Sequence, residues 1–227
     1  IDYDSRLKAL EEHALGSITS NDGKLYAMRR HLFRPLPPAV TDDLYNGLSV
    51  ILGGARLVFE AQAVALIRKP SRGGFHEIKR RRRIVCRSLA GIFARPVLFL
   101  PWRFRGYGLA LFINKVNRRL LPLYLLVMLM SCAVGAGKSM FLAACFGLQV
   151  AFYGIALGYG ALGTNADHLP GFARRIGGVT YYFLVGNVGM LLGWWDFFSG
   201  KRPAVWEPNK GPGAAAEVEK GRTAGSS

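Results

Sequence analysis

Three short runs in this sequence carry side chains able to do chemistry. Thr41-Asp42-Asp43 puts two adjacent carboxylates at the start of an apolar stretch. At such a place a carboxylate serves in one of two ways. It can cap the helix that it opens and complement the positive end of the helix dipole, or it can be held rigidly at a loop-helix junction as a general base. Lys79-Arg80-Arg81-Arg82-Arg83 is an unbroken basic run. On a helix its members point in every direction, so some are solvated, while those turned toward Asp42 and Asp43 offer the planar forks of donors that match phosphate oxygens. Gly137-Lys138-Ser139 imitates the end of a phosphate-binding loop, but that loop needs glycine where Cys132 stands and a strand before it. Lys138 is therefore expected in a turn at a membrane surface.

The elements that must position these residues divide into an amphipathic front and an oily back. Tyr3, Leu7, Leu10 and Ala14 fall on one helical face. Lys24 to Met28 alternates as a short strand would, and Pro35 to Pro38 forms a loop. Asp42 to Leu52 reads as a helix ended by Gly53-Gly54. Arg56 to Leu66 reads as a strand buried on both faces, and Phe75 to about Phe93 as the helix carrying the basic run. Pro96 and Pro101 then interrupt the chain, so no single straight helix covers that stretch. Trp102 to Arg119 mixes aromatic and basic residues as a segment lying in the membrane interface does.

From Leu120 to Leu162 the sole formal charge is Lys138, and Ile176 to Trp195 is uncharged. About 20 apolar residues make one helical crossing, so these stretches predict three, at residues 120–136, 140–162 and 176–198. Residues 199–227 hold nothing to bury and read as a disordered tail, with Trp206 a candidate anchor.

The net charge of +16 is concentrated. Twelve Lys and Arg lie between Lys79 and Arg119, and no Asp or Glu occurs from Ile78 to Ala166. A basic block beside apolar crossings belongs on the cytoplasmic side and suits anionic headgroups. No nucleic-acid fold signature accompanies it, so nucleic acid is not an expected partner. Cys86, Cys132 and Cys145 lack metal-ligand spacing and are expected as reduced thiols.

Taken in order, GSITSNDGKLYAMRR, TDDLYNGLSVILGGARLVFEAQAVA, FHEIKRRRRIVCRSL and the apolar helices resemble the second half of membrane-embedded family 2 glycosyltransferases, the group of polysaccharide synthases. The resemblance implies an α/β fold: residues 1–95 as the C-terminal part of a GT-A domain, residues 96–119 as an interfacial amphipathic connector, then a bundle of about three transmembrane helices over residues 120–198. It implies inverting transfer from a nucleotide-sugar, a UDP-sugar by expectation, to a growing polysaccharide or lipid-linked acceptor. The family's base falls on Asp43, with Asp42 in support. Its acceptor-side segment falls on Gly23, Ala27, Arg29 and Arg30, and its diphosphate-binding positions on Arg80 and Arg83. Where processive members carry Gln and Trp around that last motif, this chain has Arg80 and Ile84. Mg²⁺ or Mn²⁺ would bridge the diphosphate through ligands outside the chain, with no metal ligand in it.

Ile1 opens the sequence inside a domain-like pattern. The expectation is therefore a part of a longer enzyme, inactive without its nucleotide-binding half, multi-pass in the cell membrane with its catalytic portion cytoplasmic. The rival expectation is a non-catalytic membrane anchor or transport partner whose basic segment binds anionic lipid.

Overall fold

The computed structural model describes residues 3–21, 23, 25–37, 40–64, 74–104 and 106–201. Over these residues the chain folds as eight helices: α1 (Tyr3–Leu15), α2 (Asp42–Leu52), α3 (Gly74–Phe93), the short α4 (Pro101–Phe104) and α5 (Tyr107–Leu111), then α6 (Leu121–Gly135), α7 (Met140–Leu162) and α8 (Gly171–Phe198). The tail beyond Lys201, with Trp206, lies outside the described residues.

The expected α/β architecture is overturned: no β-strand occurs among the described residues. The segment expected as a strand from Arg56 does run extended and alternates, with Leu57 and Phe59 half-buried and Val58 turned outward. It is not buried on both faces. A strand is completed by a neighbour's hydrogen-bond ladder, and here side chains supply most of the bonding. Ser17 Oγ accepts from the Leu57 amide at 2.9 Å and Glu12 Oε2 from the Phe59 amide at 2.9 Å. A lone backbone bond, Ile18 N to Leu57 O at 3.0 Å, ties the segment to another part of the chain. Residues 25–29 likewise form no strand, and Lys24, where the expected one starts, lies outside the described residues.

What forms instead is a core between α2 and α3. Leu44, Leu48 and Ile51 from α2 meet Val85, Leu89 and Ile92 from α3, closed by Leu98, Tyr107, Leu111, Val116 and Trp194. Leu48, Leu89 and Ile92 are wholly buried, each contributing about 1.5–3 kcal/mol of apolar transfer energy. Their spacings of three and four residues are what makes the two helices amphipathic.

Three helices are long and apolar enough to cross a membrane: Tyr107–Gly135, counted through its irregular turns, Met140–Leu162 and Gly171–Phe198. The chain is a membrane protein by this measure. On α6 and α7 the large apolar side chains face outward, among them Val127, Met130, Val134, Phe141, Leu148 and Leu157. That inside-out arrangement is stable against lipid tails and not against water. Lys138 is exposed in the turn between the two helices, as its setting in the sequence predicts. Within the first span, Phe112–Val116 forms a π-turn. It aims Asn114 at Glu11 on α1, whose other carboxylate oxygen accepts from the amide and hydroxyl of Thr19, both at 2.9 Å. Tyr107 donates to the Thr19 carbonyl at 3.0 Å, so the front of the chain is fastened to the membrane stem by a polar network. Cys132 and Cys145 carry free thiols, and the Cys86 thiol donates to the Lys201 carbonyl at 3.4 Å.

The most extensive helix pairing is α3 with α8. Gly189 and Gly193 make it possible. A Cβ at Gly193 would stand 2.7 Å from Val85 Cβ and 2.8 Å from the Arg82 carbonyl, and one at Gly189 2.9 Å from Arg81 Cβ. Arg82 spans the seam and binds the buried Asp196, its Nη2 donating to Oδ1 at 2.7 Å and its Nε to Oδ2. An arginine at the centre of a bilayer costs about 3 kcal/mol, so α3, with four in succession, does not belong at that depth.

Candidate functional site

Asp43 occupies the first turn of α2, half-buried, while Asp42 beside it is exposed. Thr41 precedes the helix in extended conformation, yet its side chain makes no capping bond. The adjacent carboxylates therefore do not depend on a cap for their placement. The Asp43 side chain is fixed from its own helix, with Oδ1 accepting from the Leu44 amide at 2.7 Å. Its other oxygen, Oδ2, faces Gly23. A Cβ at position 23 would stand 3.1 Å from both Oδ2 and Cβ of Asp43.

Gly23 has φ +67°, a backbone region that costs an L side chain about 1–2 kcal/mol. Position 23 is thus closed to other residues by conformation and by the carboxylate together. Gly23→Ala is expected to displace the Asp43 carboxylate and lower activity, while lowering stability by no more than about 1–2 kcal/mol. A thermal melt beside an activity assay separates the two effects.

From Gly23 the chain runs along α2 in the same direction. Tyr26 Oη accepts from Asn46 Nδ2 at 3.4 Å, and Leu32 comes within 3.7 Å of a Cβ placed at Gly53. The expected acceptor-side segment and the expected base are therefore side by side. Ala27, Arg29 and Arg30 on this segment are exposed, and Arg30 begins a short 3-10 turn, Arg30–Leu32. Two amide oxygens near in sequence, Asn21 Oδ1 and Asn46 Oδ1, are buried without partners among the described residues.

The basic helix approaches α2 through a residue that the run itself does not include. Arg87 donates through Nε and Nη2 to the Val40 carbonyl, at 3.1 and 2.7 Å, and so holds the turn immediately before Thr41-Asp42-Asp43. Farther along, Arg95 lies 4.1 Å from the Tyr45 ring centroid and donates to Ser49 Oγ at 3.0 Å. Arg80, Arg83 and Arg87 share a face at helical spacing.

The two predicted phosphate binders differ in state. Arg80 is engaged by Glu77 through Nε and Nη2, both at 2.8 Å, and Arg81 reaches the same carboxylate at 2.7 Å. Arg83 has no hydrogen bond or ion pair among the described residues. Its guanidinium is pushed below the ordinary arginine value by burial, then by the charges of Arg87 and Arg80. The structure puts no direct contact between Asp43 and Arg80 or Arg83. Arg119, in the turn just before α6, is near enough for its charge and that of Asp43 to interact, without a hydrogen bond between them among the described residues.

Glu77 is the buried acid of this helix. Its hydrogen bond from Arg80, with that from Arg81 and both arginine charges in support, outweighs burial and holds it at about 2 against an ordinary 4.5. Because the folded value is depressed, ionised Glu77 contributes its full stability above the unfolded value. On acidification the unfolded chain takes the proton first, and the contribution drains away between about 4.5 and 2. Thermal melts across this window should fall more steeply for the parent than for Glu77→Gln.

Sequence spacing finds Asp43, Gly23 and the basic run. It misses Arg87, although that residue is one turn past Arg83 on the same face, and it misses Asn46, a polar residue inside the apolar run of α2. Arg119 carries no local signal. No described group of three or more His, Cys, Asp and Glu residues is placed to hold a metal ion. Ligands for the expected Mg²⁺ or Mn²⁺ are not found among the described residues, which hold instead a carboxylate fixed at the start of α2 and guanidinium groups on α3. No protein-family model matches the chain, and no curated protein or solved structure is significantly similar to it.

Proposed function

We propose that this chain is the acceptor-side and membrane portion of an inverting glycosyltransferase. It would act on a nucleotide-sugar, of UDP type, and a growing polysaccharide or lipid-linked acceptor. The observation that carries this reading is the setting of Asp43. One of its oxygens is pinned by an α2 amide, and the other faces the glycine that opens an extended segment running along the same helix.

In the reaction the Asp43 carboxylate takes the proton of an acceptor hydroxyl. The freed oxygen lone pair forms the new bond at the anomeric carbon from the face opposite the diphosphate. The bond from that carbon to the diphosphate oxygen breaks, its electron pair leaves with the diphosphate, and the configuration inverts. Asp43 works as base when it lies within hydrogen-bond reach of the hydroxyl, about 3 Å. Arg83, lacking an acid partner among the described residues, is the member of the basic run best able to meet the departing charge, and charge stabilisation of this kind is often the largest catalytic contribution. Arg80, committed to Glu77, supports the helix instead. The donor's nucleotide and any bridging cation are held by residues other than those described.

Membranes containing the full-length protein, supplied with radiolabelled nucleotide-sugar, test this directly. Incorporation into polymer or lipid that disappears in Asp43→Asn with donor binding kept supports the reading. Parent-level incorporation by that variant removes Asp43 from the chemistry. The second reading, an anchor that binds anionic lipid, is favoured by exposed Lys79 and Arg80. It predicts that no sugar is transferred at all.

A further inference from the structure

α8 is long and apolar enough to cross a membrane, yet its neighbours are those of a helix that stays on one side. α3 accompanies α8 through most of its length. The companionship starts where Tyr181 lies over Gly74. It continues at Gly186 and Gly189 against Arg81, at Gly193 against Val85, and at Phe93 against Phe197 with ring centroids 5.4 Å apart. It ends where Cys86 Sγ donates to the Lys201 carbonyl at 3.4 Å. None of these contacts involves residues 171–180. Ten residues of helix reach about 15 Å, half of the roughly 30 Å hydrocarbon layer. For α8 to cross, α3 would have to cross with it, bringing Lys79 through Arg83 to bilayer depth.

The hairpin of α6 and α7 leads to the same conclusion from another side. The two helices run antiparallel, joined by a short turn, so the head of α6 and the tail of α7 share one end. Both ends of α8 are fastened there. Tyr159 lies against Gly177 and Tyr181 against Gly160 at the tail of α7, while Trp194 Nε1 donates to the Arg119 carbonyl at the head of α6, at 2.9 Å. The ring pair reaching farthest from the Leu162 end is Phe152 with Phe183, ten residues or about 15 Å in, and no described ring pair joins α8 to the half of α7 next to the turn.

We infer that α8 does not cross the bilayer but lies along its surface beside α3, so that the span Tyr107–Gly135, which ends in α6, and α7 alone form a two-pass hairpin. Its partner is the lipid interface. Phe172, Val179, Trp195 and Phe198 are exposed along α8, and Arg174 and Arg175 are exposed near its start, the composition of a helix seated at headgroup level. Lys201 then stands on the side of the basic helix.

The test uses the full-length protein in sealed membrane vesicles of both orientations and a membrane-impermeant maleimide. Cysteine is introduced at His76 in α3, at Gly137 in the hairpin turn, or at Ser199 just after α8. All three positions are exposed, and the unsubstituted chain supplies the background of Cys86, Cys132 and Cys145. The expected result is that His76→Cys and Ser199→Cys are labelled from one side, Gly137→Cys from the other, and each signal is lost when the reagent is confined to the opposite face. Labelling of Ser199→Cys together with Gly137→Cys overturns the inference, and so does labelling of all three from one side. Should a substituted chain fail to insert, a reporter active on only one side of the membrane, joined after Ser227, gives the same answer on the unaltered sequence. Neither readout depends on sugar transfer, so the topology stands or falls separately from the enzymatic reading.

Discussion

Asp43→Asn in the full-length protein should lower sugar transfer by about 10²- to 10⁴-fold, the usual contribution of a positioned general base, while leaving donor binding within error. The change is isosteric, so α2 and its packing against α3 are kept. Asn retains an oxygen for the Leu44 amide, and what is lost is the capacity to take a proton. Asp42→Asn provides the contrast. That side chain is exposed and makes no hydrogen bond among the described residues, so its replacement should change transfer by less than about 3-fold, the scale of a surface substitution. Asp43→Glu should also fail, because the added methylene pushes the carboxylate toward Gly23, where the approach is already 3.1 Å for a Cβ. A base that merely needed to be acidic would tolerate glutamate, and one set by geometry does not. Rates of incorporation from radiolabelled nucleotide-sugar, measured beside donor affinity, distinguish these outcomes.

Asp196→Ala should be the most destabilising single change at the seam between α3 and α8. The carboxylate is 1% exposed and accepts both donors of the Arg82 fork. Removing it leaves a guanidinium with no partner on a helix face and a small cavity in the seam. Breaking a fully buried pair costs about 3–5 kcal/mol. Arg82 keeps 40% of its side-chain surface in solvent, so water recovers part of the loss and about 2–3 kcal/mol is the expected figure. The pairing partner gives the internal check. Arg82→Leu combined with Asp196→Leu removes both charges, and the double variant should recover most of the lost stability, since neither group is then left unsatisfied. Thermal unfolding in detergent, read by protease susceptibility after Lys201, reports both. A single variant that melts within about 0.5 kcal/mol of the parent would class the pair with ordinary surface bridges.

The legible features were those that depend on local spacing. The extent of α1, the start of α2 at Asp42, the amphipathic α3, the breaks at Pro96 and Pro101 and the apolar lengths of α6 and α7 all arise from periodicity and backbone chemistry within a few residues, whereas Leu10, on the face expected to be buried in α1, is exposed. Gly23 and Asp43 could be named as site residues from their types, twenty positions apart in the sequence. Their approach to contact, with Oδ2 turned to the glycine, is a tertiary fact.

The two expected strands, Lys24 to Met28 and Arg56 to Leu66, did not form among the described residues, because a strand depends on its neighbours, and Arg80 shows the same dependence in how its fork is engaged. Arg56 to Leu66 alternates as a strand, but alternation describes a half-buried extended chain whether or not a sheet exists. Ser17 and Glu12 took the amide bonds that a ladder would have made. Arg80 is chemically suited to phosphate, but Glu77, three residues earlier, claims its fork.

The amino-acid order by itself determined that this chain is basic, oily and helical at its back, because charge and apolar length are sums over residues that need no partner. Only the folded arrangement decided which arginines are spoken for, which carboxylate is turned toward a glycine, and that the basic helix lies along α8. Each of these is a pairing between residues from 3 to 115 positions apart, and a pairing exists only when the backbone brings both members to the same place.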